Sequence, residues 1–129
     1  MEVNLVVVAA VIFSLICVIT AIFQVLLALG YPLGEFALGG SYKILPHKLR
    51  VVSVCNALIL LFMGLVVLQH AEVFTSFAFL STNLLMWVIT VFLGLNTLAN
   101  LISPSKKERY VMTPISTAAF LLCLLIVLS

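Results

Sequence analysis

Four long apolar runs dominate the chain and fix what it can fold into. They extend from about Leu5 to Leu29, Val51 to Leu68, Leu84 to Ile102 and Val111 to Leu128. A helix rising about 1.5 Å per residue needs about 20 apolar residues to cross a hydrocarbon core of about 30 Å. Each run is apolar all round rather than striped, the mark of contact with lipid. The sequence therefore predicts an all-α fold, a transmembrane four-helix bundle, as one membrane domain over residues 1–129. Composition agrees: 65% of the 129 residues are hydrophobic and 8% are charged, too few ionic groups to solvate a soluble surface. A soluble enzyme, a disordered tail and a nucleic-acid binder are excluded on that ground. The first run is read as a retained helix rather than a cleaved leader. It is longer than a signal-peptide core, and the residues ahead of it include Glu2 and no Lys or Arg.

Charge sets the orientation. All six basic residues fall in two connections, Lys43, Lys48 and Arg50 after the first run and Lys106, Lys107 and Arg109 after the third. Four crossings bring those connections to one face, and the positive-inside rule makes that face cytoplasmic. Both termini, together with His70 and Glu72, then lie outside. Tyr31, Tyr42 and Tyr110 anchor the cytoplasmic interface and Trp87 the outer one. The outer connection carries Phe74, Phe77 and Phe79 and is expected to lie on the interface. Ser81, Thr82 and Asn83 are candidate caps for the third helix.

Helix boundaries have their own signals. Pro46 is expected in the first turn of the second helix, where its missing N–H is harmless. The fourth helix has two candidate starts. Ser105 with Glu108 fits a capping box and places Pro114 inside the helix, where it bends it. Thr113 capping ahead of Pro114 leaves a helix of about 15 residues, about 22 Å, too short to cross. The early start is preferred.

Two features raise the question of a site. The segment Gly30-Tyr31-Pro32-Leu33-Gly34-Glu35-Phe36-Ala37-Leu38-Gly39-Gly40 continues to Pro46 and holds four of the six glycines. It is too polar to cross and too apolar for a solvated loop. It is expected to fold back, re-entrant or interfacial, on the cytoplasmic mouth, with a short turn at 34–38. A compact connector and a lid are both open. Polar residues also recur at one depth, about 7–9 Å inside the cytoplasmic boundary by helical rise. Gln24, Asn56, the i,i+4 pair Asn96 and Asn100, and Ser116 with Thr117 would form an inward-facing layer. Interhelical hydrogen bonding, at about 0.6 kcal/mol per bond, is the plainer account of that layer.

At the rim, Glu35 is expected to pair with Arg50 or Arg109, leaving the other guanidinium for a phosphate or carboxylate headgroup. Topology and anionic lipid account for Lys106 and Lys107. Gly64 and Gly94, near mid-membrane, permit close helix contact. Cys17, Cys55 and Cys123 lie apart in apolar runs and read as small buried hydrophobes, and His47 and His70 fall on opposite sides. No metal, cofactor or catalytic set is expected, and no charge deep in a span speaks for ion coupling.

Gly30-x-Pro32-x-Gly34, Gly39-Gly40, Leu45-Pro46 and Leu49-Arg50, with Asn96, Asn100, Ser103, Glu108-Arg109 and Pro114, resemble a pattern found in small bacterial four-helix integral membrane proteins of uncharacterised function. The resemblance implies a bacterial inner-membrane protein and brings no activity. The leading expectation is non-catalytic: a cytoplasm-facing pocket of Gln24, Glu35, Arg50, Asn56, Asn96, Asn100 and Arg109. It would bind an anionic lipid headgroup or an amphipathic molecule, or dock a partner membrane protein. A small homo-oligomeric transporter or channel and an enzyme acting on lipid headgroups through Glu35 are the alternatives.

Overall fold

The computed structural model describes residues 2–71 and 82–129. Its helices are α1 (Glu2–Ala28), α2 (His47–His70), α3 (Thr82–Leu101) and α4 (Lys106–Leu128). All four are long and apolar enough to cross a membrane, and no strand occurs among the described residues. The protein is a helical membrane protein. Each helix starts a few residues before its apolar run, because backbone hydrogen bonding continues into the polar first turn. The expectations for Phe74, Phe77, Phe79, Glu72 and a Ser81 cap lie outside the described residues.

The chain forms two helical hairpins, α1–α2 and α3–α4, closed into a ring by looser α1–α4 and α2–α3 contacts. Their shared core contains Phe13, Met63, Val67, Met86, Leu93 and Cys123, all buried. Leu58, Ile19, Val88 and Leu95 point outward and are exposed, as a lipid-facing surface requires. Each hairpin closes on a glycine. At Gly64 the Ser14 hydroxyl donates to the Gly64 carbonyl at 3.3 Å, and a Cβ there would lie 3.6 Å from the Cys17 Cβ. At Gly94 a Cβ would lie 3.1 Å from the Phe120 ring. Both glycines are therefore used between helices of one chain, which removes them as support for an oligomer interface.

Cap chemistry explains the helix starts. Pro46 stands one residue ahead of α2 rather than within its first turn, and its carbonyl accepts from both Leu49 N and Arg50 N at 3.0 Å. α4 takes the early start: the Ser105 hydroxyl accepts from Glu108 N at 3.3 Å, with Pro114 inside the helix. Only that half of the capping box forms. The Glu108 carboxylate turns away from Ser105 to the opposite connection, where Gly39 N donates to its Oε1 at 3.2 Å.

Candidate functional site

The two basic connections meet at one end of the bundle, and the 30–46 segment folds over that end as two tight turns, Gly34–Phe36 and Leu38–Gly40. Three consecutive residues, Leu38, Gly39 and Gly40, have φ of 54°, 72° and 75°. For Leu38 that left-handed backbone is unfavourable, so surrounding contacts must hold it. They do. Gly39 N is fixed by Glu108, the Ser105 hydroxyl donates to the Glu35 carbonyl at 2.5 Å, and the Lys107 ammonium pairs with the Glu35 carboxylate. Gly34 N donates to the Lys43 carbonyl at 2.8 Å, with no room for a side chain. Phe36 packs edge-on against Phe23 of α1, with centroids 6.4 Å apart, and the Lys107 ammonium lies 5.8 Å from the centre of its ring. The segment is a pinned cap, with two turns, Gly34–Phe36 and Leu38–Gly40, in place of the single short turn expected at 34–38.

Beneath it lies a cavity of about 210 Å³ between the hairpins. Phe36, Ala37 and Leu38 form its roof. Four helix faces form its walls: Phe13, Cys17, Thr20 and Gln24 of α1; Ser53, Asn56, Leu60 and Met63 of α2; Leu93, Asn96 and Asn100 of α3; and Glu108, Met112, Ser116 and Ala119 of α4. The spacings of three, four and seven residues within each set are those of one helical face. Polar groups collect toward the roof, while Phe13, Leu60, Met63 and Leu93 line the part toward the bundle centre. The cavity is thus polar at one end and apolar at the other.

Asn100 Nδ2 donates to Ser116 Oγ at 2.5 Å, and Asn96 Nδ2 reaches the same oxygen at 3.5 Å. Gln24, Asn56 and Asn100 are half-buried; Asn96 is exposed at the cavity edge, not enclosed as the depth argument requires. Thr117 bonds back to the Thr113 carbonyl at 2.7 Å and does not join the layer.

Of the seven residues expected to build a pocket, Gln24, Asn56, Asn96 and Asn100 line this cavity, and Glu35, Arg50 and Arg109 do not. The expected Glu35–arginine pair is replaced by Glu35–Lys107. Docking Ser105 onto the Glu35 carbonyl places the first turn of α4, and therefore Lys107, beside that carboxylate. Lys107 by hydrogen bond and charge, then Lys43 by charge, hold the Glu35 carboxyl below its usual range. Both arginines tie down backbone. Arg50 Nε donates to the Leu45 carbonyl at 2.8 Å, its guanidinium lying against Gly30. Arg109 donates to the Ser103 carbonyl at 3.2 Å and rests over the Tyr110 ring. Neither guanidinium is aimed into the cavity.

Glu108 is a cavity residue that the expected pocket leaves out. It is 8% exposed and lines the cavity just under the roof. The signal was available: Glu108, Met112, Ile115, Ser116 and Ala119 follow helical spacing on one face of α4. The capping-box reading had assigned the carboxylate to the helix end. Cys17 and Cys123 are buried, as expected of small hydrophobes, while Cys55 is exposed on the outer face of α2. No cluster of metal-ligating side chains occurs among the described residues. Compared with known proteins, the chain matches no family model, no curated protein and no solved structure.

Proposed function

We propose that the protein is a non-catalytic integral membrane protein that captures an amphipathic molecule, a lipid or a single-chain amphiphile, in the roofed cavity between its hairpins. The observation that carries this reading is the cavity's polarity: amides and Glu108 under the roof, apolar side chains toward the bundle centre. A ligand with one hydrogen-bonding head and one apolar chain matches such a gradient, since the half-buried amides offer donors and acceptors and the inner walls offer none. The two basic connections put the roof in the cytoplasm and both termini outside, by the positive-inside rule. Resemblance to small bacterial four-helix proteins supports a bacterial cytoplasmic membrane. The head lies on Gln24, Asn56, Asn96 and Asn100. Arg50 and Arg109 are bonded to backbone carbonyls, of Leu45 in the 30–46 segment and of Ser103 ahead of α4, instead of holding an anion. Anionic lipids contact the exposed basic rim outside the cavity, where Lys106 is free to meet them.

The test is native mass spectrometry of gently extracted protein, comparing the wild type with the Asn96→Leu/Asn100→Leu double variant. The wild type should carry a bound amphiphile, and the double variant should lose it. Its thermal stability should fall by no more than the lost interhelical hydrogen bonds, about 0.6 kcal/mol each. A bare wild-type protein, or a double variant that keeps the ligand and loses only stability, contradicts the proposal. In the second case the amides serve only as packing between helices.

A further inference from the structure

We infer that the amphiphile carries an ammonium head with Glu108 as its counter-ion, and that it reaches the cavity through the apolar groove between α1 and α4. This rests on the function proposed above and names the ligand class.

Charge is the first argument. Among the described residues lining the cavity, Glu108 is the one acidic or basic side chain. The neighbouring cations are committed elsewhere: Lys107 to Glu35, Arg50 to the Leu45 carbonyl and Arg109 to the Ser103 carbonyl. Glu108 itself accepts a single hydrogen bond, from Gly39 N, and no cation pairs with it among the described residues. This carboxylate, 8% exposed at the first turn of α4, faces the cavity with no cation beside it, and an ammonium group is the partner it can take there.

Hydrogen-bond polarity points the same way. Asn96 and Asn100 each turn one N–H toward Ser116, which leaves both side-chain carbonyl oxygens, beside the Glu108 carboxylate, to accept from a ligand. An ammonium head brings only donors, whereas a phosphate or sulfate brings acceptors and negative charge to a site already holding both. Phe13, Phe23 and Phe36 supply aromatic walls, and aromatic faces attract alkylammonium groups.

The groove supplies the way in. Ile19, Leu33 and Val111 extend it, and it shares Thr20, Phe23, Phe36, Met112 and Ile115 with the cavity. Its volume of about 280 Å³ is nearly twice the roughly 150 Å³ of an engineered cavity that admits benzene. It runs along the looser α1–α4 contact, on the side where exposed Ile19 and Ile115 face outward. An amphiphile can therefore enter sideways from the bilayer, beneath a roof that stays pinned.

The experiment uses the full chain in phosphatidylcholine nanodiscs at pH 7, titrated calorimetrically with dodecylammonium, dodecanol and dodecyl phosphate against empty discs. Dodecylammonium should bind at least about tenfold more tightly than dodecanol, and dodecyl phosphate most weakly; tenfold corresponds to about 1.4 kcal/mol. Glu108→Gln keeps an oxygen for Gly39 N but removes the charge. It should bring dodecylammonium down to dodecanol's affinity, with thermal unfolding followed by helicity reporting that the variant is folded. Dodecanol or dodecyl phosphate equalling dodecylammonium in the wild type, or an ammonium preference that survives in Glu108→Gln, overturns the inference. Failure of all three probes contradicts the proposed function itself. A fourth probe, a lyso-phospholipid with an ethanolamine head, separates the sources. Saturable binding indicates a membrane lipid, and its failure beside dodecylammonium binding indicates a free amphiphilic amine.

Discussion

Gly34→Ala should unpin the roof, at a cost of about 3 kcal/mol if the segment keeps its place. A Cβ at this position would overlap the Tyr42 carbonyl oxygen and stand 2.9 Å from that of Lys43. Neither atom is the end of a flexible side chain. Both belong to the backbone stretch whose Lys43 carbonyl already accepts from Gly34 N. Relief requires the 34–43 segment to separate, which withdraws Phe36 from Phe23 and Glu35 from Ser105. Thermal unfolding in detergent, followed by helicity, measures the loss. Susceptibility of the 30–46 segment to proteolysis should rise at temperatures where the four helices remain intact. Tolerance of alanine at Gly34 without change in either readout would mean that the segment does not pack as described.

Gly64→Leu should cost about 3 kcal/mol, whereas Gly64→Ala should be nearly neutral. An added Cβ meets Cys17 Cβ at 3.6 Å and Ser14 at 3.7 Å, ordinary contact distances. The further atoms of leucine have nowhere to go between α1 and α2, and making room would break the Ser14 to Gly64 hydrogen bond. The pair of variants also separates two uses of the glycine. If Gly64 packs within one chain, leucine lowers thermal stability and leaves the particle mass in detergent unchanged. If it packed between chains, leucine would reduce the particle mass while the folded monomer kept its stability.

How much of this was legible in the sequence depended on range. The four helices follow from runs of apolar residues, and the alignment of Gln24 with Asn56, and of Asn100 with Ser116, follows from counting inward along antiparallel helices. The Ser105 cap was legible because it acts over three residues. The partner of Glu108 was not, since Gly39 lies 69 positions away and reaches it only after the 30–46 segment folds over α4. The Glu35 pairing failed for the same reason. Arg50 and Arg109 had better geometry for a carboxylate in principle, but nearby backbone carbonyls at Leu45 and Ser103 claim them first, five and six residues away. Short-range hydrogen bonds decided where the arginines went, and a long-range contact decided where the carboxylates went. Hence the amide half of the site was visible beforehand, while its charged half was misplaced.

Capture of an amphiphile between the hairpins is tested most directly by photolabelling the protein in its native membrane. The probe is dodecylamine carrying a diazirine at mid-chain, with labelled residues located by peptide mapping. Labels are expected on Thr20, Phe23, Met112 and Ile115, where cavity and groove join, and should fall to background in the Asn96→Leu/Asn100→Leu variant. Labels confined to outward residues such as Leu58, Val88 and Leu98, with none above background where cavity and groove join, would contradict it.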